Sequence, residues 1–321
     1  MERLPRFPLL RLPFIPMEIV IRLMDVPEQY KMATVSKKAT KLVTLSLSRK
    51  TFFARFFFRQ ILKFDIWNSE TKSSFAVEIE YPAPEEYTRM ESIRSHIEFM
   101  KIVFHLKDIQ LNFQTYRPPG LESGLISVFE EYLVISNLTL YTHIDGQTND
   151  ELYLYILKKC CHYSRLYIYM DTTANFKLPV SDCPMFSCDE LVLTKPHWAT
   201  VDHFATNLEN VKQLVISETQ FNAKEANKFI KSWINGSRIE GLILDLKDDT
   251  VFRRVFRDID DAIEIREAVV HCYLCHFEEG EAFVVKQADG KEAIVYEMDD
   301  SLFLQTEFSR DLSDYDDDLF L

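Results

Sequence analysis

Cysteine and histidine side chains are the first candidates for chemistry in this sequence. Cys272 and Cys275 precede His276 in the C-x-x-C-H spacing of c-type haem attachment, and Cys183 with Cys188 would supply two further thiolates to a zinc ion. The surrounding segment alternates as a strand does, which places Cys272 and Cys275 on opposite faces. We therefore expect neither haem nor zinc, and no cofactor.

Signals for nucleophilic or phosphate-binding chemistry are also weak. Cys160 and Cys161 precede His162, but at the expected end of a helix, where a buried thiol is commoner than a nucleophile. The chain has no glycine-rich phosphate loop, G-x-S-x-G elbow or H-E-x-x-H pair, and only 7 glycines in 321 residues. The sequence predicts a protein that is not an enzyme, without catalytic or metal-binding residues.

Composition and charge describe a globular chain with two electrostatically different parts. Apolar residues make up 47% and charged residues 27%, which is ordinary for a chain with a large core. Residues 1–60 hold 12 Lys and Arg against 4 Asp and Glu, whereas the remaining 261 residues hold 25 against 46. The basic part leaves nucleic-acid binding open as a less favoured alternative, because the acidic part would repel phosphate.

No segment reads as a signal peptide or a membrane span. Four prolines and Glu18 interrupt the N-terminal apolar residues. The aromatic stretch from Thr51 to Phe64 contains Arg55, Arg59 and Lys63 and is too short for a bilayer, so we expect it to be a connecting helix. The predicted location is intracellular, cytoplasmic or nuclear, and the six cysteines are expected to be reduced thiols.

The elements around the N-terminus predict a small helical module. Because Pro13 and Pro16 interrupt the opening, regular helix is expected from Met17. Asp25 is expected to cap a second helix, and a third carries apolar residues at helical spacing. About 40 residues bury too little surface to be stable alone, so this module needs a partner. The apolar positions of the third helix are Val35, Ala39, Leu42 and Val43.

This stretch, Phe7 to Leu47, resembles the F-box, the adaptor-binding module of Skp/cullin/F-box ubiquitin ligases, in a version found in a large family expanded in nematodes. The motif residues are Leu12-Pro13, Glu18-Ile19-Val20, Leu23-Met24-Asp25, Pro27-Glu28, Val35-Ser36-Lys37-Lys38 and Leu42-Val43. Gln29-Tyr30 stands where the family usually has an apolar leucine. The resemblance implies that the Skp-family adaptor is bound through Leu12, Pro13, Ile19, Val20, Leu23, Met24 and Val35.

Beyond this module, apolar pairs recur at intervals of 23 to 28 residues and several gaps contain a predicted helix. One such helix is expected to open with a capping box of Asn222 and Glu225 and to end at Gly236, with apolar positions Ala226, Phe229, Ile230 and Trp233. A strand and a helix at this period are typical of a leucine-rich-repeat-like α/β body, and an irregular α/β domain is the alternative. The segment 63–119 gives mixed strand signals, with one strand expected over Phe75–Tyr81 and strand-like pieces between Ile97 and Phe113. Pro118-Pro119-Gly120 marks a boundary. The pairs are Leu138/Leu140, Leu166/Ile168, Leu191/Leu193, Leu214/Ile216 and Leu242/Leu244.

After Ala268 the pattern becomes alternating, with a hairpin signal at Asp289-Gly290, so the body is expected to end in antiparallel strands. The predicted class is α+β: a helical F-box (1–47), a connecting helix with mixed strands (48–119), a repeat-like α/β domain (120–310) and an acidic tail (311–321). Five aspartates lie in that tail.

A second resemblance covers the body. The runs CDELVLT, FNAKEANKFIKSWINGSRIEGLIL and VVKQADGKEAIVYEM are similar to the type-2 F-box-associated domain that follows this kind of F-box. Together the resemblances imply a substrate-recognition subunit of a Skp/cullin/F-box-type ligase, which binds the adaptor and a protein substrate but no membrane. A scaffold that works outside a ligase is the alternative. The sequence identifies no substrate-binding residues.

Overall fold

The computed structural model of the protein describes residues 12–50, 52–58, 62–68, 74–79, 86–113, 138–144, 148, 150–208, 210–247, 251–271 and 273–311. It divides into two compact units, Met1–Thr139 and Leu140–Leu321. Helices and strands occur in both, and the first unit begins with a helical stretch, as the α+β prediction requires. The finer prediction of a leucine-rich-repeat-like body is not confirmed.

The first unit combines helices with a four-stranded mixed sheet. Strand β1 lies between β4, to which it is parallel, and β2, to which it is antiparallel, and β3 follows β2. Its helices are α1 (Phe14–Leu23), α2 (Val26–Val35), α3 (Lys37–Leu47) and α4 (Glu86–Phe104), and its strands are β1 (Phe52–Phe58), β2 (Leu62–Asn68), β3 (Ser74–Ile79) and β4 (Leu106–Phe113).

The predicted connecting helix over Thr51–Phe64 is wrong, because the described parts of this stretch belong to β1 and β2. Burial in β1 has a period of two: Phe52, Ala54 and Phe56 are buried, whereas the alternate side chains are partly exposed. The charge of Arg55 is accommodated on the more open face, where its guanidinium lies 5.5 Å from the ring centroid of Trp67. Residues 52–58 are extended because they pair with β2 and β4, and the local sequence gives no signal for this pairing.

Two further boundaries in this unit differ from expectation. Helix α1 begins at Phe14 rather than Met17, because Pro16 lies in the first turn, where a missing N–H costs no hydrogen bond. The strand expected over Phe75–Tyr81 is present as β3. Of the strand-like pieces expected between Ile97 and Phe113, the part up to Phe104 is helical and only β4 is a strand.

The second unit contains a long mixed sheet in the order β5-β6-β7-β8-β9-β15-β14-β13-β10 and a three-stranded sheet in the order β12-β11-β16. Its helices are α5 (Asp150–Cys160), α6 (Val201–Asn207) and α7 (Ala223–Ile234), with 3-10 helices Val180–Asp182 and Phe252–Phe256. Its strands are β5 (Leu138–Ile144), β6 (Arg165–Met170), β7 (Glu190–Thr194), β8 (Gln213–Phe221), β9 (Gly241–Leu246), β10 (Ile263–Glu264), β11 (Glu267–Val270), β12 (Tyr273–His276), β13 (Ala282–Lys286), β14 (Glu292–Met298), β15 (Ser301–Gln305) and β16 (Phe308–Ser309).

Four of the five recurring apolar pairs align across the parallel strands β6 to β9. Their side chains form two rows that cross all four strands in register, and every member is fully or almost fully buried. Parallel pairing with one fully buried face explains the recurrence of two aliphatic residues per strand. The rows are Leu166, Leu191, Leu214 and Leu242, and Ile168, Leu193, Ile216 and Leu244.

Polar side chains connect the strand ends next to these rows. The ammonium of Lys195 lies 3.2 Å from a carboxylate oxygen of Glu218 and 3.8 Å from one of Asp171. The backbone N–H of Glu218 donates to Asp245, and the hydroxyl of Ser301 donates to the other carboxylate oxygen of Asp245 at 2.8 Å. These contacts join successive strands where a regular leucine-rich repeat would have an asparagine ladder.

Helix α7 follows its sequence prediction closely. Asn222 and Glu225 form the expected capping box, and the predicted apolar positions are buried. After the helix, Gly236 has φ +118°, the conformation that favours glycine there. The indole N–H of Trp233 donates to the Ile239 carbonyl at 3.0 Å, so the chain folds back under the helix. The buried positions are Ala226, Phe229, Ile230 and Trp233.

The predicted hairpin joins β13 to β14, although its turn differs in detail. Gly290 has a positive φ and Asp289 does not, and the N–H of Gly290 donates to the Gln287 carbonyl. The buried Gln287 amide in turn donates to the Trp233 carbonyl at 2.9 Å and to the Ser237 carbonyl at 3.1 Å. The hairpin therefore supplies donors to the carbonyls at the end of α7.

Replacing Gln287 with alanine should destabilise the protein by about 1–3 kcal/mol, because two buried carbonyls lose their side-chain donors. Thermal unfolding followed by circular dichroism measures this effect. The matched control is Lys286→Ala, whose exposed side chain should change stability by less than about 0.5 kcal/mol. Equal stability of the two variants would contradict the role given to Gln287.

Candidate functional site

Helix α1 presents a stripe of exposed aliphatic side chains. Ile15, Ile19 and Leu23 are separated by four residues each, so they lie along one side of the helix. Their side chains are 68%, 54% and 81% exposed. Large apolar side chains placed together on a surface mark an interaction site more often than isolated ones do. We call Ile15, Ile19 and Leu23 the α1 stripe.

The opposite side of α1 is held against α3. Met17 and Ile21 are buried, and the guanidinium of Arg22 donates to the Ser46 carbonyl at 2.9 Å. Arg22 also pairs with Glu18 one turn earlier. Because Met17 and Ile21 must face the core, the residues of the α1 stripe are turned outward.

The residues predicted to bind the adaptor have different degrees of exposure. Ile19 and Leu23 belong to the α1 stripe. The placement of Val35 in the third helix is wrong, because Ser36 caps α3 and Val35 is the last residue of α2, where it is 72% exposed. Pro13 is also exposed, whereas Leu12, Val20 and Met24 are half-buried. Their role in binding stays a prediction.

The sequence interpretation missed Phe14 and Ile15. Both are exposed, and both were placed in an extended opening because of Pro16. The signal was present in the four-residue spacing from Ile15 to Ile19 and Leu23. That spacing becomes meaningful only when the helix is allowed to begin before the proline.

Gln29, which stands where the family usually has leucine, has a structural role. Its buried side-chain amide donates to the carbonyls of Ile21 and Met24, both at 3.0 Å, and so satisfies the end of α1. Its side-chain oxygen is buried without a hydrogen-bond partner in the described part of the chain. The next residue, Tyr30, contacts the rings of Phe64 and Phe99 edge-on. The start of α2 thus fixes both the end of α1 and the contact with the sheet.

Gln29→Leu should lower the stability of the first unit by about 1–3 kcal/mol, because the Met24 carbonyl is left without its donor. Lys31→Leu, on the exposed side of the same helix, serves as the control. Both effects are measured by denaturant unfolding of the full chain. If Gln29→Leu raised the stability instead, the two lost hydrogen bonds would contribute less than the cost of burying the unpaired side-chain oxygen of Gln29. Leucine would then be the more favourable residue at this position.

The thiols of the second unit are placed as core residues. Cys160, Cys183 and Cys188 are buried, and Cys161 is half-buried. Burial raises the pKa of Cys183 to about 11 and that of Cys188 to about 12. Thiols that keep their protons at neutral pH are poor nucleophiles and poor metal ligands.

The C-x-x-C-H segment is described from Tyr273 onward, and Cys272 lies outside the described residues. Cys275 packs against the cluster formed by β11, β13 and β14, and burial raises its pKa. The imidazole of His276 lies 3.3 Å from a carboxylate oxygen of Glu267. Across the described ranges, no three His, Cys, Asp or Glu side chains are grouped so as to hold a metal ion.

In the folded protein at pH 8, Cys160, Cys183 and Cys188 should resist iodoacetamide, whereas half-buried Cys161 and Cys275 react slowly. The raised pKa values of Cys183 and Cys188 also lower stability at alkaline pH. Below about pH 9 both the folded and the unfolded thiols hold their protons, and above it only the unfolded thiols ionise. Stability should therefore decline as the pH rises from about 9 towards 11–12, and less steeply in Cys188→Ala.

Peptide mass spectrometry after timed alkylation measures the reactivity of each thiol, and melting between pH 8 and 10.5 measures the stability. The fully unfolded protein is the reference, in which all thiols should react. Rapid alkylation of Cys188 in the folded protein would contradict its assignment as a core thiol.

An aromatic cluster contains the buried imidazole of the second unit. His203 accepts the backbone N–H of Thr200 at Nδ1, and its Nε2 lies 2.7 Å from the Leu178 carbonyl. The Trp198 ring packs edge-on against His203, and its indole N–H donates to the Tyr153 hydroxyl at 3.1 Å. Both ring nitrogens of His203 are engaged in capping and tethering, so the cluster is structural.

Comparisons with known proteins bear on the second unit. No curated protein matches the chain in sequence. None of the helices within the described ranges combines the length and the apolar content that crossing a membrane requires. Residues 162–240, which contain β6, β7, β8, α6 and α7, match the model of the family described as F-box associated, and to this extent the chain is similar to that family.

Proposed function

We propose that this chain is the substrate-recognition subunit of a Skp/cullin/F-box-type ubiquitin ligase and is not itself an enzyme. The observation that carries the proposal is the α1 stripe, an exposed apolar surface on the helical module that resembles an F-box. Residues 162–240 of the second unit match the F-box associated family, the kind of domain that is expected to follow an F-box. Ubiquitin transfer is then carried out by other subunits, in an intracellular compartment.

Adaptor binding through the α1 stripe needs only apolar burial. A large aliphatic side chain contributes about 1.5–3 kcal/mol when it is moved fully from water into an interface. Ile19 and Leu23 are both more than half exposed, so they can gain most of this contribution on binding. Val35 adds a further exposed side chain from α2.

The second unit is proposed to hold the substrate protein. Its parallel strands β6 to β9 follow one another at nearly constant spacing, with α6 and α7 between them. We interpret this arrangement as leucine-rich-repeat-like, an architecture that offers an extended surface to a protein partner.

The double substitution Ile19→Ala/Leu23→Ala should weaken binding of a purified Skp-family adaptor by at least about tenfold, because about 1.4 kcal/mol already corresponds to that factor. Isothermal titration calorimetry with the full chain measures the affinity. Folding should be unchanged, since both side chains are exposed in the free protein. The matched control is Ile263→Ala, an equally exposed isoleucine in the second unit, which should bind like the wild type.

Two results would contradict the proposal: no adaptor binding by the wild-type chain, or wild-type affinity in the double variant. A reconstituted ubiquitin-transfer assay then separates the ligase receptor from a scaffold. Adaptor binding without any transfer to proteins captured by the second unit would favour the scaffold.

A further inference from the structure

A basic pocket lies between the start of α7 and the 3-10 helix Phe252–Phe256. Its volume is about 590 Å³. Among the described residues that line it, three side chains are cationic, Lys224, Arg254 and Arg257, and one, Asp258, is anionic. The other described lining residues are Asn222, Ala223, Asn227 and Val251. This excess of positive charge lies in the acidic part of the chain.

The three cations of the basic pocket have no ion-pair partner in the part of the chain that the structure describes, and all three are exposed. The neighbouring arginine differs. Arg253 pairs with Glu264 at 3.0 Å and with Glu279 at 3.7 Å. Arg253 is therefore neutralised within the fold, whereas Arg254, in the same 3-10 helix, and Arg257, its C-cap residue, are left available in the pocket.

The wall that carries the arginines is firmly anchored. The side-chain amide of Asn227 donates to the Val255 carbonyl at 2.6 Å and to the Arg257 carbonyl at 2.8 Å, which ties the 3-10 helix to α7. Behind it, the ring of Phe256 stacks on Phe283 with centroids 4.0 Å apart. Charged groups on an ordered backbone lose less entropy on binding than groups on a mobile one.

We propose that the basic pocket binds a carboxylate-rich segment of the substrate protein. This inference rests on the proposed role of the second unit as a protein receptor, and it names the chemistry that this unit recognises. Arg254 lies in the 3-10 helix and Arg257 follows the helix directly as its C-cap residue, so the wall carries two separate cationic side chains. Two separate cations suit successive acidic residues of an extended segment. Val251, 49% exposed, adds an apolar residue to the lining.

Phosphate and nucleic acid fit the basic pocket less well. Phosphate sites at helix starts use free backbone N–H groups, but the Asn222 side chain already accepts those of Lys224 and Glu225. A nucleic acid would extend its charge beyond the pocket, over a part of the chain with 46 acidic against 25 basic residues.

The test uses the full chain and a fluorescein-labelled peptide of Gly-Glu-Val repeated four times, with fluorescence anisotropy as the readout. The wild type should bind this peptide at least about tenfold more tightly than a peptide with every Glu replaced by Gln, and added salt should weaken the binding. Arg254→Gln/Arg257→Gln should lose at least about tenfold in affinity. The matched control Arg253→Gln should stay within about twofold.

A charge swap sharpens the test. The variant Arg254→Glu/Arg257→Glu should no longer bind the Glu peptide measurably. It should instead bind a peptide in which every Glu is replaced by Lys more tightly than the wild type does. Equal loss in Arg253→Gln and in the double variant would overturn the assignment of the site. Tighter binding of the Gln peptide carrying one phosphoserine would assign the pocket to phosphate instead.

The chain's own acidic residues 312–321 are a competing source of carboxylates. A chain ending at Asp311 that binds the Glu peptide at least about tenfold more tightly would show that these residues fill the pocket in place of a substrate. Adaptor titration of the same samples separates the two proposals. Adaptor binding without peptide binding would overturn only the pocket assignment, whereas loss of adaptor binding in the wild type would overturn the proposed function.

Discussion

The register of the parallel strands β6 to β9 is the constraint on which the second unit depends. Two rows of aliphatic side chains cross all four strands, and a shift of one strand by a single residue would turn its pair away from the core. The fixed register also aligns the residues at the strand ends, so that Lys195 reaches both Asp171 and Glu218. Beyond Ile216 the register of β8 against β9 shifts, and α7 then begins after Asn222, with Asn227 beside the 3-10 helix.

The first unit shows how a small helical module gains a core while part of its apolar surface stays exposed. Three short helices bury too little on their own, and here the deficit is partly met within the chain. Tyr30 packs on Phe64 and Phe99, and the imidazole of His105 lies 3.2 Å from the Thr44 carbonyl. These contacts stabilise α2 and α3 and leave one side of α1 uncovered. Of the apolar surplus that the sequence predicts, the α1 stripe stays exposed, together with Phe14, Val35 and Leu45.

Local patterns predicted the elements whose stability is local. The capping residues and apolar face of α7 lie within fourteen residues, and its bounds and buried positions agree with the prediction. Interpretation failed where distant pairing decides: Phe52–Phe58 is a strand because β2 and β4 flank it. The proximity of Lys224 to Arg254 depends on the contact between Asn227 and a carbonyl 28 residues away, for which the sequence has no signal. In the sequence, Gln29 is visible only as a departure from the leucine that is usual at this position, and its hydrogen bonds to the end of α1 could not be predicted.

The unpaired arginines are informative because the chain does not lack acidic residues. Arg253 shows that a guanidinium on this 3-10 helix can reach two carboxylates, Glu264 and Glu279. Arg254 and Arg257 line a pocket in which Asp258 is the one carboxylate among the described residues. Exposed ion pairs contribute little to stability, so leaving two arginines unpaired costs the fold little, while desolvation by a partner would strengthen their attraction to carboxylates.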